Sequence, residues 1–80
     1  MATKLDLVDW LIVALKANGG KGTIVQLCMY IWRQHEADLR SSGDLFYTWQ
    51  YDVRWAANEL RRGRKMRSVE VSPKGIWELA

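Results

Sequence analysis

The C-terminal segment "MRSVEVSPKGIWELA", from Met66 to Ala80, constrains the fold most, because its apolar residues alternate where the preceding segment has helical spacing. Alternation is typical of strands, and "SPKG" suits a type I turn with Pro73 in second position and Gly75 in the left-handed conformation. The turn predicts a hairpin whose register pairs Ser72 with Ile76, Val71 with Trp77, Glu70 with Glu78, and Val69 with Leu79. The apolar pairs share one face, so that face must pack on the rest of the chain.

Two helices are predicted in the N-terminal half. The first spans about residues 4–18, begins with a capping pair of Thr3 and Asp6, and ends at Gly19-Gly20. Its apolar residues at helical spacing, which we expect in the core, are Leu5, Val8, Ile12 and Leu15. The second helix begins at the capping box "TIVQ", Thr23 to Gln26. One side of it carries Ile24, Leu27, Cys28, Ile31 and His35.

A third helix is predicted from about Thr48 to Arg62, after a polar loop "ADLRSSGDLF" and before a stop at Gly63. Its expected core residues are Val53, Ala56, Ala57 and Leu60. Three helices followed by an apolar-backed hairpin describe a winged helix, and "KGT" before the second helix suits a small third strand. The predicted fold class is therefore α+β and mostly helical, with a single winged-helix domain over residues 1–80.

The composition is consistent with one small domain. The chain has 80 residues, of which 49% are hydrophobic, and its five tryptophans favour a packed core. The single cysteine, Cys28, excludes an internal disulfide and a cysteine-rich zinc site, and it indicates a reducing, cytoplasmic location. The apolar run "LVDWLIVAL" contains Asp9 and is too short to cross a bilayer, so no membrane partner is expected.

Two motifs, "VRWAANELRR" in the third helix and "KGIWELA" after the turn, resemble the N-terminal winged-helix domain of Mrr-type restriction proteins. That family has a similar V-x-W-A run in its third helix and a G-[IV]-W-x-L ending in its wing. The resemblance extends from about Leu7 to Leu79, although "SSGDLFYTWQYD" departs from the family pattern. It implies binding of double-stranded DNA by the third helix and the wing, and it does not imply cleavage, because the family's nuclease is a separate domain.

The outward face of the third helix independently suits DNA binding. Asparagine can bond adenine through two hydrogen bonds, arginine can bond guanine or phosphate, and tyrosine can donate to phosphate. At 100° per residue, the side chains that face away from the core or flank that face are Tyr51, Arg54, Trp55, Asn58, Arg61 and Arg62. The cations expected to meet phosphates beyond the helix are Arg64, Lys65 and Arg67, with Lys74 at the turn. The net charge of +3 permits a polyanionic partner.

Each of these features has a plainer interpretation. A basic run at a helix C-terminus is also typical of a solvated end that complements the helix dipole, and Trp55 also suits packing on the wing. Lys74 fits an exposed turn residue equally well. Glu70 and Glu78 on the outer face of the wing oppose close approach of DNA, so contact is expected at its tip only.

No catalytic or metal-binding pattern is present in the sequence. Cys28 and His35 lie on one helix face, but a buried thiol and a hydrogen-bonded core histidine explain them better than metal ligation, because no further ligand is near. There is no nucleophile with a matching base, no phosphate-binding loop and no paired-carboxylate motif. A protein without enzymatic activity, cofactor or metal is therefore predicted.

The first helix suggests an alternative function as a protein-interaction or dimerisation module. Its side opposite the expected core stripe carries Trp10, Val13 and Ala17, so the helix is apolar on two faces. In a small monomer one such face is exposed, unless the chain ends cover it, and would bind a protein partner or a second copy. This alternative is compatible with DNA binding, because winged helices often dimerise on two half-sites.

Overall fold

Three helices and a short antiparallel sheet make up the fold, which confirms the predicted α+β class with mostly helical content. The computed structural model describes all 80 residues, Met1 to Ala80. In chain order the elements are α1 (Lys4–Ala17), β1 (Lys21–Thr23), α2 (Ile24–Arg40), α3 (Leu45–Arg62) and β2 (Ile76–Glu78). None of the helices is long and apolar enough to cross a membrane.

The capping pairs that begin the first two helices form as predicted. The backbone amide of Thr3 donates to Asp6 Oδ2 at 2.9 Å. In the second pair, the amide of Thr23 donates to Gln26 Oε1 at 2.9 Å, and the amide of Gln26 donates to Thr23 Oγ1 at 3.2 Å. These bonds satisfy amides that have no partner inside the helices and so fix where α1 and α2 begin.

The buried side of α1 differs from the expected one. The α1 residues with no exposed surface are Leu7, Leu11, Ala14 and Leu15, which pack against α2 and α3. Leu5, expected in the core, is 70% exposed, and Val8 and Ile12 are only partly buried. Nearly every residue of "LDLVDWLIVAL" is apolar, so the periodicity does not single out a face, and packing against two helices decides it.

The third helix begins at Leu45, earlier than the predicted Thr48, and the loop before it is correspondingly shorter. Leu45 and Trp49 are buried one turn apart at its start. In the loop, buried Ser42 accepts a hydrogen bond at 2.9 Å from the amide of Ala2 and donates to the carbonyl of Asp38. The polar composition around Ser42 predicts a longer loop than the structure has, and the buried hydroxyl of Ser42 instead joins the N-terminus of the chain to the α2–α3 connection.

The predicted pairing of the hairpin is wrong. Residues 69–72 form no strand: the amides of Val71 and Ser72 both bond the carbonyl of Ser68, and Val69 and Val71 are 66% and 61% exposed. β2 instead pairs with β1 in the register Lys21↔Glu78, Gly22↔Trp77 and Thr23↔Ile76. The small third strand suggested by "KGT" is thus confirmed as β1, and the left-handed Gly75 is confirmed at φ 80°.

A short hairpin-like pairing still exists, nearer the end of α3. Met66 is bridged to Leu79, the amide of Arg67 donates to the carbonyl of Glu78 at 2.9 Å, and the amide of Ala80 donates to the carbonyl of Lys65 at 3.0 Å. Met66 is buried at this pairing, whereas Val69 and Val71 are exposed. The chain therefore pairs at the buried methionine, and residues 68–75 form a loop, which we call the 68–75 loop.

Candidate nucleic-acid interface

One exposed stripe runs the length of α3, and we call it the α3 outer face. Its members, spaced three or four residues apart, are Tyr47, Tyr51, Arg54, Asn58 and Arg62, and all are exposed. The two tyrosines are 84% and 77% exposed. The opposite side of the helix is buried and consists of Leu45, Trp49, Val53, Ala56, Ala57 and Leu60. The predicted core residues of this helix are confirmed, and their burial forces the polar and aromatic stripe outward.

Tyr47 is the member of the α3 outer face that the sequence analysis missed. It lies one turn before Tyr51 and directly before the predicted helix start at Thr48. The signal was present, because Tyr47 continues the spacing of Tyr51, Arg54 and Asn58 toward the N-terminus. Extending the helix to Leu45 is all that was needed to find it.

Arg61 joins α3 to the C-terminal strand. Its Nε donates to the carbonyl of Arg67 at 3.3 Å, and its guanidinium lies 5.7 Å from the centre of the Trp77 ring. Its Nη1 donates to Asn58 Oδ1 at 3.4 Å, a long hydrogen bond. Arg61 is therefore partly buried and engaged within the chain, while the amide nitrogen of the exposed Asn58 has no bond in the structure.

Arg62 and Trp55 are also engaged with neighbouring side chains. Arg62 Nη1 bonds both carboxylate oxygens of Glu59, at 2.9 and 3.1 Å, so its charge is locally compensated. Trp55 is partly buried against the core, and the Lys4 ammonium lies 4.3 Å from its ring centre. The structure thus places Trp55 beside α1, outside the α3 outer face.

A sharp turn follows α3 and presents three cations, Arg64, Lys65 and Arg67, which we call the turn cations. The amide of Lys65 donates to the carbonyl of Leu60 at 2.8 Å and that of Arg64 to Arg61 at 3.0 Å, the paired bonds of a Schellman motif. The expected stop at Gly63 is confirmed, although the left-handed residue is Arg64, at φ 60°. A non-glycine residue in this conformation is strained. All three side chains are exposed and lack a carboxylate partner.

Lys74 lies in the 68–75 loop, beyond the turn cations in the sequence. It lines a shallow depression of about 400 Å³ together with Arg61 and Trp77, so the loop approaches the C-terminal end of α3. Glu70 is exposed in the same loop, whereas Glu78 is partly buried in β2 opposite Lys21. The expected pairing of Glu70 with Glu78 does not form, because residue 70 lies in a turn.

The two groups considered as metal ligands lie in different surroundings. Burial raises the pKa of the Cys28 thiol, and the positive charge of Arg54 opposes this shift. Burial lowers the pKa of His35, against the smaller opposing effects of Asp38 and Asp6. The His35 ring stacks on Trp10 at 3.7 Å and 4°, where α2 is kinked with φ −131° and ψ 18°. No group of three histidine, cysteine, aspartate or glutamate side chains is arranged to hold a metal ion.

The residues predicted as a partner surface on α1 do not share one environment. Trp10 is partly buried under His35 of α2, so a large part of its ring is covered within the chain. Val13 is 51% exposed and Ala17 is also exposed. The exposed apolar side of α1 is completed by Leu5, a residue that the sequence analysis placed in the core.

No protein-family model, curated protein or solved structure matches this chain.

Proposed function

We propose that this chain is a winged-helix domain, without catalytic activity, that binds double-stranded DNA through the α3 outer face and the turn cations. The order of elements supports the winged-helix interpretation: a strand precedes α2, and the 68–75 loop connects the Met66 bridge to β2 as a wing would. The resemblance of "VRWAANELRR" and "KGIWELA" to Mrr-type DNA-binding domains supports the same proposal.

The observation that carries this proposal is the absence of acidic partners around Arg54 and the turn cations. The ion pairs of the chain are Arg40 with Glu36 and Arg62 with Glu59. Arg54 and the turn cations are therefore exposed without a carboxylate partner. Cations that neutralise phosphates release counterions, which gives affinity without sequence information. Asn58 and the tyrosines next to Arg54 add the hydrogen-bonding groups that contact base edges and phosphates.

The proposed DNA contacts leave out two of the residues expected from the sequence, Arg61 and Trp55. Arg61 is engaged with Arg67 and Trp77, and Trp55 is packed beside Lys4, so both support the position of α3. The proposed contacts are Tyr47, Tyr51, Arg54, Asn58, Arg64, Lys65 and Arg67, with Lys74 at the tip of the wing and Arg62 available once it leaves Glu59.

The experiment compares two double variants that remove the same charge. Arg64→Gln with Arg67→Gln removes two turn cations, and Lys16→Gln with Arg33→Gln removes two exposed cations on α1 and α2. Binding of a fluorescent duplex is measured by anisotropy over a range of salt concentrations. The turn variant should lower the salt slope by about 2 and weaken binding, since each phosphate contact contributes about one unit, while the control should match the wild type. Equal slopes for the two variants would contradict the proposal.

Asn58→Ala tests whether α3 also reads sequence. On a preferred site selected from random duplexes, the variant should lose about 1–3 kcal/mol of binding free energy, and its affinity for random DNA should hardly change. Lys74→Ala is the matched control, because a phosphate contact should weaken both duplexes equally. If Asn58→Ala also weakens both duplexes equally, α3 binds the DNA backbone only.

A second candidate function is protein interaction through the exposed side of α1. The observation in its favour is that Leu5 and Val13 are 70% and 51% exposed two turns apart on one side of the helix. Exposed apolar side chains that share one side of a helix on a small domain suit a contact surface. Trp10 contributes less than expected because it stacks on His35.

A further inference from the structure

An apolar groove lies between α2 and α3, and we call it the α2–α3 groove. It has a volume of about 700 Å³, and eight of its ten lining residues are hydrophobic. Val25 and Met29 contribute side chains that are 63% and 54% exposed, Trp32 lines the groove farther along α2, and Phe46 lines it at the start of α3. All ten lining residues belong to α2 and α3, and the exposure of Val25 and Met29 shows that the groove is open to solvent.

The charge of the groove selects its occupant. Arg54 is the one charged residue in the lining, which contains no carboxylate. The positive charge of Arg54 also acts on the Cys28 thiol inside the groove. Arg54 belongs to neither ion pair of the chain. A ligand that fills this groove should therefore present apolar side chains with a carboxylate among them.

The exposed side of α1 has this composition. Leu5, Asp9 and Val13 lie on successive turns, and we call them the α1 stripe. Leu5 and Val13 are largely exposed, and Asp9 is exposed without an ion-pair partner. At 1.5 Å per residue the stripe is about 12 Å long, close to the length of about 10 Å from Val25 to Trp32 along the groove.

We propose that the α1 stripe of one copy docks in the α2–α3 groove of a second copy, with Asp9 of the first paired to Arg54 of the second. The two surfaces share no residue, because the groove is lined by α2 and α3 and the stripe lies on α1. The contact is therefore heterologous, and repeating it builds rings or open chains of subunits. It removes two exposed apolar surfaces from water at once.

This inference rests on the second candidate function and names its partner, while DNA binding is tested separately by the salt slopes above. It also links the two functions. Tyr51 and Arg54 line the groove and belong to the α3 outer face, so a subunit whose groove is occupied loses part of its DNA surface. Assembly and DNA binding should compete at these two residues.

Charge reversal with complementation tests the inference. Asp9→Arg reverses the charge of the α1 stripe, and Arg54→Glu reverses the charge of the groove. Glu70→Arg and Arg33→Glu are charge-reversal controls at exposed residues outside both surfaces. Sedimentation velocity is measured for each full-length variant, without DNA, at concentrations up to about 1 mM, where weak association is still detectable. Asp9→Arg and Arg54→Glu should each weaken self-association about tenfold or more, and the two control variants should self-associate as the wild type does.

An equimolar mixture of Asp9→Arg and Arg54→Glu chains decides how the copies meet. In a heterologous contact, each mixed junction pairs opposite charges, so association should return toward the wild-type level. The rate of Cys28 alkylation should fall as wild-type concentration rises, because a second copy covers the groove. If only Asp9→Arg weakens self-association and the mixture does not restore it, α1 of one copy pairs with α1 of the other. The inference is then wrong, but α1 remains a protein-contact surface. A wild-type monomer throughout the concentration range overturns the inference.

Discussion

The outer faces of α3 and α1 differ in what they offer, although each lies opposite a fully apolar buried side. The α3 outer face carries aromatic rings, an amide and cations, and the turn cations extend it. The α1 stripe carries two aliphatic side chains around one carboxylate. An apolar surface is stabilised only when it is covered, whereas cations retain their hydration until a polyanion replaces it. This difference is why we propose protein contact for α1 and nucleic-acid contact for α3.

The largest expected effect tests the buried side of α1 against its exposed side. Leu11→Ala should destabilise the protein by about 2–5 kcal/mol, because the leucine is fully buried and the substitution leaves a cavity. Leu5→Ala, the matched control on the exposed side, should change stability by about 0.5 kcal/mol or less. Urea unfolding at low protein concentration measures both. Equal losses would mean that Leu5 is also covered, and the α1 stripe would then be no free surface.

A smaller effect separates stability from charge at the end of α3. Arg64→Gly should stabilise the protein by about 1 kcal/mol, because glycine accepts φ 60° without the strain of a side chain. The same variant should lower the salt slope of DNA binding by about 1, because one phosphate contact is lost. Arg64→Asn is the control that removes the charge while keeping a residue that tolerates this conformation. A slope unchanged in both variants would remove Arg64 from the DNA surface.

The sequence predicted features that depend on short-range chemistry. The capping pairs at Thr3 and Thr23, the stop at Gly63 and the left-handed Gly75 each depend on a few adjacent residues, and all are confirmed. The predicted buried side of α3 is also confirmed, because polar residues clearly separate the apolar positions of this helix.

The errors arose where distant parts of the chain decide the structure. The core side of α1 depends on two packing partners, because the helix is apolar on several sides. The alternation in "SVEV" predicts pairing of residues 69–72 with the C-terminal strand. That strand pairs instead with β1, which is distant in the sequence, and with Met66, which precedes the expected strand. Helical spacing alone also predicts that Trp55 and Arg61 are exposed. Both are partly buried because Lys4 and Trp77, which come from other elements, lie against them.

The smallest expected effect is a pH dependence at the contact between α1 and α2. Because burial lowers the pKa of His35 in the folded protein, the unfolded chain binds a proton more readily, near its ordinary pKa of 6.5. Stability should therefore be full above this pH and decline as the pH falls below it, while Asp6 and Asp38 partly offset the loss. The neutral ring stacked on Trp10 is the form that the fold prefers.

His35→Gln should reduce this decline, because glutamine does not titrate. Unfolding free energies of the variant and the wild type are compared between about pH 7.5 and 5.5, where His35 is the only side chain whose ordinary pKa falls inside the range. The wild type should lose more stability over this range than the variant. A wild type that becomes more stable as the pH falls would mean that the charged imidazolium is the preferred stacking partner of Trp10. The contact would then resemble the cation over Trp55 that Lys4 forms, and α1 would be held to both neighbouring helices by charge as well as by its leucines.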